Sequence, residues 1–188
     1  MQNKTITFLS QDEALLLDPK PNSILVAIRD LQKKNVNSVQ RLPYKSNFDG
    51  KIQTFFFFDY CKYRFKPTWK QSLEEAGWFM FDKKVASDII LFVESYKPDN
   101  LYIHCAAGIS RSAAVAKYYS VIWNIPLTQD TEFYNKTVYG LMMEAGYKLG
   151  FVSNAIYKNY LIEKFNRQYA RLKQLNKLPN DYTYVTTQ

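Results

Sequence analysis

One histidine and two cysteines in 188 residues leave little room for several kinds of chemistry. A zinc site built from cysteine and histidine lacks its ligands, and Cys61 and Cys105, far apart in the sequence, give no disulfide framework. No metal and no cofactor are expected. No apolar run approaches the ~18 residues that cross a bilayer, and Met1–Ser10 carries too short an apolar segment for a secretory leader. A cytoplasmic protein in a reducing compartment, without a membrane span, is the expectation. Repeats, low-complexity tracts and a clear linker are also missing. A chain of 22.1 kDa with 47% hydrophobic residues fills one core but not two. A single domain over residues 1–188 is therefore expected, with residues 179–188 as a frayed tail held through Tyr182 and Tyr184.

What the chain does have is positive charge, +8 with a pI near 9.3, and this favours anionic partners. The basic residues concentrate between Tyr60 and Lys70, where Lys62, Arg64, Lys66 and Lys70 alternate with Tyr60, Tyr63, Phe65 and Trp69. Such a stretch suits acidic phosphopeptides. It also suits RNA, through stacking and charge neutralisation, and a solvated loop pinned by its aromatics is an equally good account.

Short apolar runs alternate with amphipathic stretches. Thr5–Leu9 and Ser23–Ile28 read as strands, and Ser10-Gln-Asp-Glu13 between them has capping-box spacing. Lys51–Phe58 is the most strand-like segment. Helical periodicity covers Phe81–Tyr96, Thr131–Tyr147 and Asn154–Leu175, while Asn35–Gly50 is polar and turn-like. Asn100–His104 reads as a buried strand and Arg111–Trp123 as a helix. Strands alternating with helices imply an α/β fold, with a central, mainly parallel sheet flanked by helices on both faces.

The densest chemistry lies between that last strand and helix, in His104-Cys-Ala-Ala-Gly-Ile-Ser-Arg-Ser112. A strand, a tight loop and a helix present successive backbone N–H groups of residues 106–111 and a helix N-terminus to one point, which is an anion site. Ala106, Ala107, Gly108, Ile109, Ser110 and Arg111 are the candidate phosphate binders. Gly108 lets the loop turn tightly. Arg111 supplies a planar fork for two oxygens, a geometry lysine cannot copy. Cys105 is the candidate nucleophile, since a helix N-terminus and a nearby cation lower a thiol from ~8.5 to roughly 3.5–7.5. Ser112 is placed to donate to the sulfur and stabilise it as a leaving group. The plain alternative is a buried, inert cysteine beside a surface arginine.

This motif resembles the signature of the cysteine-dependent protein tyrosine phosphatases, and Ala107-Gly-Ile-Ser-Arg-Ser112 is most similar to the dual-specificity branch. The likeness is specific over residues 100–123 and looser elsewhere. It implies a dual-specificity phosphatase-like fold in which the loop leaves the carboxyl end of a central strand, and metal-independent hydrolysis of phosphotyrosine, with phosphoserine and phosphothreonine as further substrates, through a phosphocysteine. It implies that His104 supports the loop and the thiolate without transferring protons. Asn154, in Ser153-Asn-Ala-Ile-Tyr157, matches a family asparagine that braces the site, although serine stands where proline is frequent and a helix cap explains it equally well. Phosphoinositide-specific relatives carry extra loop cations; Ala106 and Ala107 supply none.

The resemblance also requires an acid to protonate the leaving alcohol. Asp59, at the end of the aromatic strand, is the first candidate. It stands 46 residues before Cys105, farther than in compact relatives, so the basic segment after it reads as an insertion. Asp82 is the rival, with a helix N-cap as its plainer role, and Asp49 and Asp30 follow. Cys61 raises the prospect of a protective disulfide with Cys105, against the simpler reading of an inert strand-end thiol. Two alternatives to a protein phosphatase stay open: an RNA 5′-end or polyphosphate phosphatase, and a phosphate-binding module without turnover.

Overall fold

The computed structural model describes residues 4–31, 35, 42–44, 48, 51–60 and 67–174. Four parallel strands, β1 (Thr5–Leu9), β2 (Ser23–Arg29), β3 (Ile52–Phe56) and β4 (Asn100–His104), form one sheet in the order β1-β4-β2-β3. The helices are α1 (Gln11–Leu16), α2 (Pro67–Glu75), α3 (Lys83–Tyr96), α4 (Arg111–Trp123), α5 (Lys136–Lys148) and α6 (Asn154–Gln174). The α/β class with a parallel sheet is thus present, and every pairing in the sheet is parallel.

β4 is buried at every position and lies between β1 and β2, as a continuous apolar strand in a parallel sheet should. Ile6, Phe8, Ile24, Val26, Ile28, Leu101 and Ile103 meet α3, α4 and α5 in the main core. On the other face, among the described residues, Leu25 and Tyr102 pack with Phe48, Leu17 and Tyr44. Thus α4, which follows β4, packs on one face, while Tyr44 and Phe48, which follow β2, pack on the other. A crevice outside the carboxyl ends of two such neighbouring strands is where open α/β sheets bind ligands.

Local signals explain most boundaries. Ser10 and Glu13 form the capping box that starts α1. Asp82 accepts from the Val85 amide and is the N-cap of α3, so the rival acid holds the structural role. α5 starts at Lys136, later than periodicity suggests, because Asn135 caps it through the Thr137 and Val138 amides. At the free edge of β1, Gln129 imitates a strand: its side chain accepts from Phe8 N–H at 2.9 Å and donates to Phe8 C=O at 2.7 Å.

Candidate functional site

β4 delivers Cys105 at its carboxyl end, and residues 105–110 form a loop leading into α4. The loop is tied down from both sides. Leu9 C=O accepts from the Cys105 amide, Ala106 C=O from the Gln11 amide, and Ser110 C=O from the Asn135 amide, at 3.3, 3.2 and 3.0 Å. Gly108 has φ +70°, and a Cβ there would stand 2.6 Å from the Leu9 carbonyl carbon. The end of β1 passes directly beneath it, so glycine is required for space as well as conformation.

Cys105 is 2% exposed, and its sulfur lies 3.2 Å from Ser112 Oγ. Burial alone would raise the thiol. The Ser112 hydroxyl and amide, the Arg111 charge and the Gly108 amide together outweigh burial and hold it below its ordinary range. His104, the last residue of β4, is fully buried. Burial holds it neutral and pushes its pKa down to about 4, Arg29 and Arg111 push the same way, and the Cys105 backbone opposes them. Its Nε2 lies 2.6 Å from the hydroxyl of Tyr44, itself pushed up to about 12 by burial.

Arg111 is only 4% exposed. Nη1 and Nη2 donate to the two carboxylate oxygens of Asp30 at 2.7 and 3.1 Å, and Nη1 also donates to Phe57 C=O at 2.8 Å. A guanidinium has a second edge, formed by Nε–H and the remaining Nη2 hydrogen. Nε is buried and has no partner among the described residues. Asp30 and Phe57 thus fix the plane of the group and leave one donor edge open, the arrangement that suits a tetrahedral oxyanion.

Asp59 lies beyond the end of β3. Its Oδ1 accepts from Ser110 Oγ at 2.9 Å and from Asn135 Nδ2 at 2.8 Å. Ser110 occupies the N-cap position of α4 but makes no side-chain cap; its hydroxyl is turned to Asp59 and the N-terminus of α4 stays open. The site therefore gathers Cys105, Gly108, Ser110, Arg111, Ser112, His104 and Asp59, and adds Asp30, Asn135 and Tyr44. Ala106, Ala107 and Ile109 are exposed along the loop.

Asn154 is not among the gathered residues. It is the exposed first residue of α6, next to Ser153, whose hydroxyl receives the Ile156 amide. The asparagine that reaches Asp59 and the Ser110 carbonyl is Asn135. Asp30, weighed only as a remote candidate for the acid, is the partner of Arg111. Its signal was its place directly after a buried strand beside the motif strand. Asp49, Cys61 and the basic side chains of residues 62, 64 and 66 lie outside the described residues, whereas Lys70 pairs with Glu74 along α2.

Among the described residues, no three His, Cys, Asp or Glu side chains are grouped to hold a metal ion, and no helix is long and apolar enough to cross a membrane. A groove of about 610 Å³ between β3 and α3, walled by Phe55, Phe56, Phe79, Leu91 and Phe92, has Asp88 as its one titratable residue among the described lining residues, which do not include Cys105. No family model matches the sequence, nor does any curated protein or solved structure.

Proposed function

We propose that the chain is a cysteine-dependent phosphatase that hydrolyses phosphotyrosine in proteins, with phosphoserine and phosphothreonine as further substrates, and needs no metal ion. The observation that carries this reading is the placement of a buried thiol, lowered by its surroundings, beside the Ser112 hydroxyl in a loop whose arginine has one donor edge engaged and one open. A merely structural cysteine gains nothing from this setting. The fold intended here is a dual-specificity phosphatase-like one, and the all-parallel sheet with its loop at the carboxyl end of β4 supports it.

In the proposed reaction the Cys105 thiolate attacks phosphorus and forms an S–P bond while the ester P–O bond breaks. The proton of the Asp59 carboxyl goes to the departing oxygen, releasing the alcohol. Arg111 and the loop amides take the charge of the equatorial oxygens. Water then attacks phosphorus and gives its proton to Asp59, and the S–P bond breaks to return a thiolate stabilised by Ser112. The products are the alcohol and inorganic phosphate.

The test is turnover of a phosphotyrosine peptide and an aryl phosphate with a chelator present. Wild-type protein is expected to hydrolyse both, and Cys105→Ser neither, while still binding phosphate. Activity that needs metal and survives Cys105→Ser rejects the proposal. The charge of +8 keeps RNA in view; a 5′-triphosphorylated oligonucleotide offered at matched salt distinguishes the two substrate classes, since salt weakens nucleic-acid binding steeply.

A further inference from the structure

We infer that Asn135 is a positioning residue that decides which oxygen of Asp59 delivers the proton. The inference rests on the proposal that Asp59 is the proton donor. Asn135 is 1% exposed, and each of its polar groups is engaged. Its Oδ1 accepts from the Thr137 and Val138 amides at 2.9 and 3.1 Å. Those two donors fix the orientation of the amide, so its NH2 must point the other way. There Nδ2 donates to Asp59 Oδ1 at 2.8 Å and to Tyr60 C=O at 3.0 Å. The Asn135 backbone N–H donates to Ser110 C=O at 3.0 Å, and the Ser110 hydroxyl donates to the same Asp59 Oδ1 at 2.9 Å. One buried residue therefore joins the segment after β3 and the first turn of α5 through its side chain, and the loop after β4 through its backbone N–H.

The consequence follows from the count of donors. The Asn135 NH2 can only donate, and the Ser110 hydroxyl as placed donates to the same Asp59 Oδ1, so a proton on the carboxyl is favoured on Oδ2. The clamp holds Oδ1 toward α5 and the loop, and leaves Oδ2 as the oxygen that gives its proton as the ester P–O bond breaks. Misplacement of a catalytic group by about 1 Å costs on the order of 10²-fold, so rigid holding through a buried amide is of direct value to the step.

Two substitutions separate this role from helix capping. Asn135→Ser keeps a good N-cap residue but withdraws the NH2 from Asp59. Ser110→Ala removes the other donor and leaves the cap of α5 intact. Each is assayed with aryl phosphates of good and poor leaving groups, with and without Asp59→Asn, and each is checked by thermal melting. Ser110→Ala is expected to melt near the wild-type temperature and Asn135→Ser, which vacates a buried amide, lower but still folded at the assay temperature; both are expected to lose about tenfold or more with the poor leaving group, but only a few-fold with the good one, within the ~10²–10⁴ that a general acid contributes. In the Asp59→Asn background the same substitutions are expected to cost little more, because the group they position is gone. Equal losses for both leaving groups, or losses undiminished in the Asp59→Asn background, overturn the inference while leaving the phosphatase proposal standing. Absence of turnover in the wild-type protein overturns that proposal and this inference with it.

Discussion

Asp30 grips Arg111 through both terminal nitrogens, at 2.7 and 3.1 Å, and joins the carboxyl end of β2 to the first residue of α4. The pair places a fully charged arginine in a buried position with its plane set before any ligand arrives. Removing one partner from such a pair leaves a buried charge with its donors unsatisfied. Because Asp30 is 36% exposed, water screens part of the loss. Asp30→Asn is expected to destabilise the fold by about 1–3 kcal/mol and to weaken binding of vanadate or phosphate. Urea melts and a competition titration check both effects.

Gly108 tests the close passage of β1 beneath the loop. Gly108→Ala puts a methyl group 2.6 Å from the Leu9 carbonyl carbon at φ +70°. The obstacle is backbone, which cannot swing aside like a side chain. A cost of about 2 kcal/mol or more is expected, from left-handed strain plus displacement of the strand end, together with loss of phosphate binding. Retention of wild-type stability and binding rejects this account of the loop.

His104 predicts how stability depends on pH. Its pKa is pushed down to about 4 in the fold, chiefly by burial, against ~6.5 in an unfolded chain. Between those values the unfolded chain binds the additional proton, so stability rises with pH across the window and is fully present above about 6.5. As pH falls from 6.5 to 4, about 3 kcal/mol is expected to be lost through this group. Urea melts at several pH values should show that slope, and His104→Gln should flatten it.

The thiol gives a prediction of opposite chemistry. Ser112 Oγ lies 3.2 Å from the Cys105 sulfur, where its hydroxyl can donate to a thiolate, and it is the largest influence lowering the thiol. Ser112→Ala is expected to move the midpoint of Cys105 alkylation by iodoacetamide to higher pH and to slow alkylation at neutral pH. An unchanged midpoint shows that the hydroxyl does not stabilise the thiolate.

The acid assignment is tested through leaving groups. Asp59→Asn is expected to slow hydrolysis of an alkyl or phenyl phosphate by about 10²-fold or more, within the range of general acid catalysis, and to slow that of an activated aryl phosphate much less. An equal, small effect on both removes Asp59 from the role.

These residues differed in how visible they were in the sequence. Cys105, Gly108, Arg111 and Ser112 are nearly contiguous, so one strand, one loop and one helix start bring them together without help from the rest of the fold. Asp59 was legible because a strand end in a parallel sheet points to the same rim as the loop. Asp30 and Tyr44 come from the connection after β2 and Asn135 from the start of α5, and only the order β1-β4-β2-β3 brings them to the carboxyl end of β4. Asn135 was hidden for a further reason: helical periodicity from Thr131 buried it within a supposed helix, whereas its side chain starts that helix. Asn154 was named on the resemblance of its segment alone, and its position on α6 is exposed.

The central claim is covalent, and covalent trapping tests it most directly. Wild-type protein is mixed with a phosphotyrosine peptide carrying labelled phosphate, quenched within one turnover, digested and mapped. The account predicts label on the peptide containing Cys105, absent from Cys105→Ser and increased by Asp59→Asn when an activated aryl phosphate is used, since that substitution slows breakdown more than formation. Turnover with no label on Cys105, or label on any other residue, contradicts it.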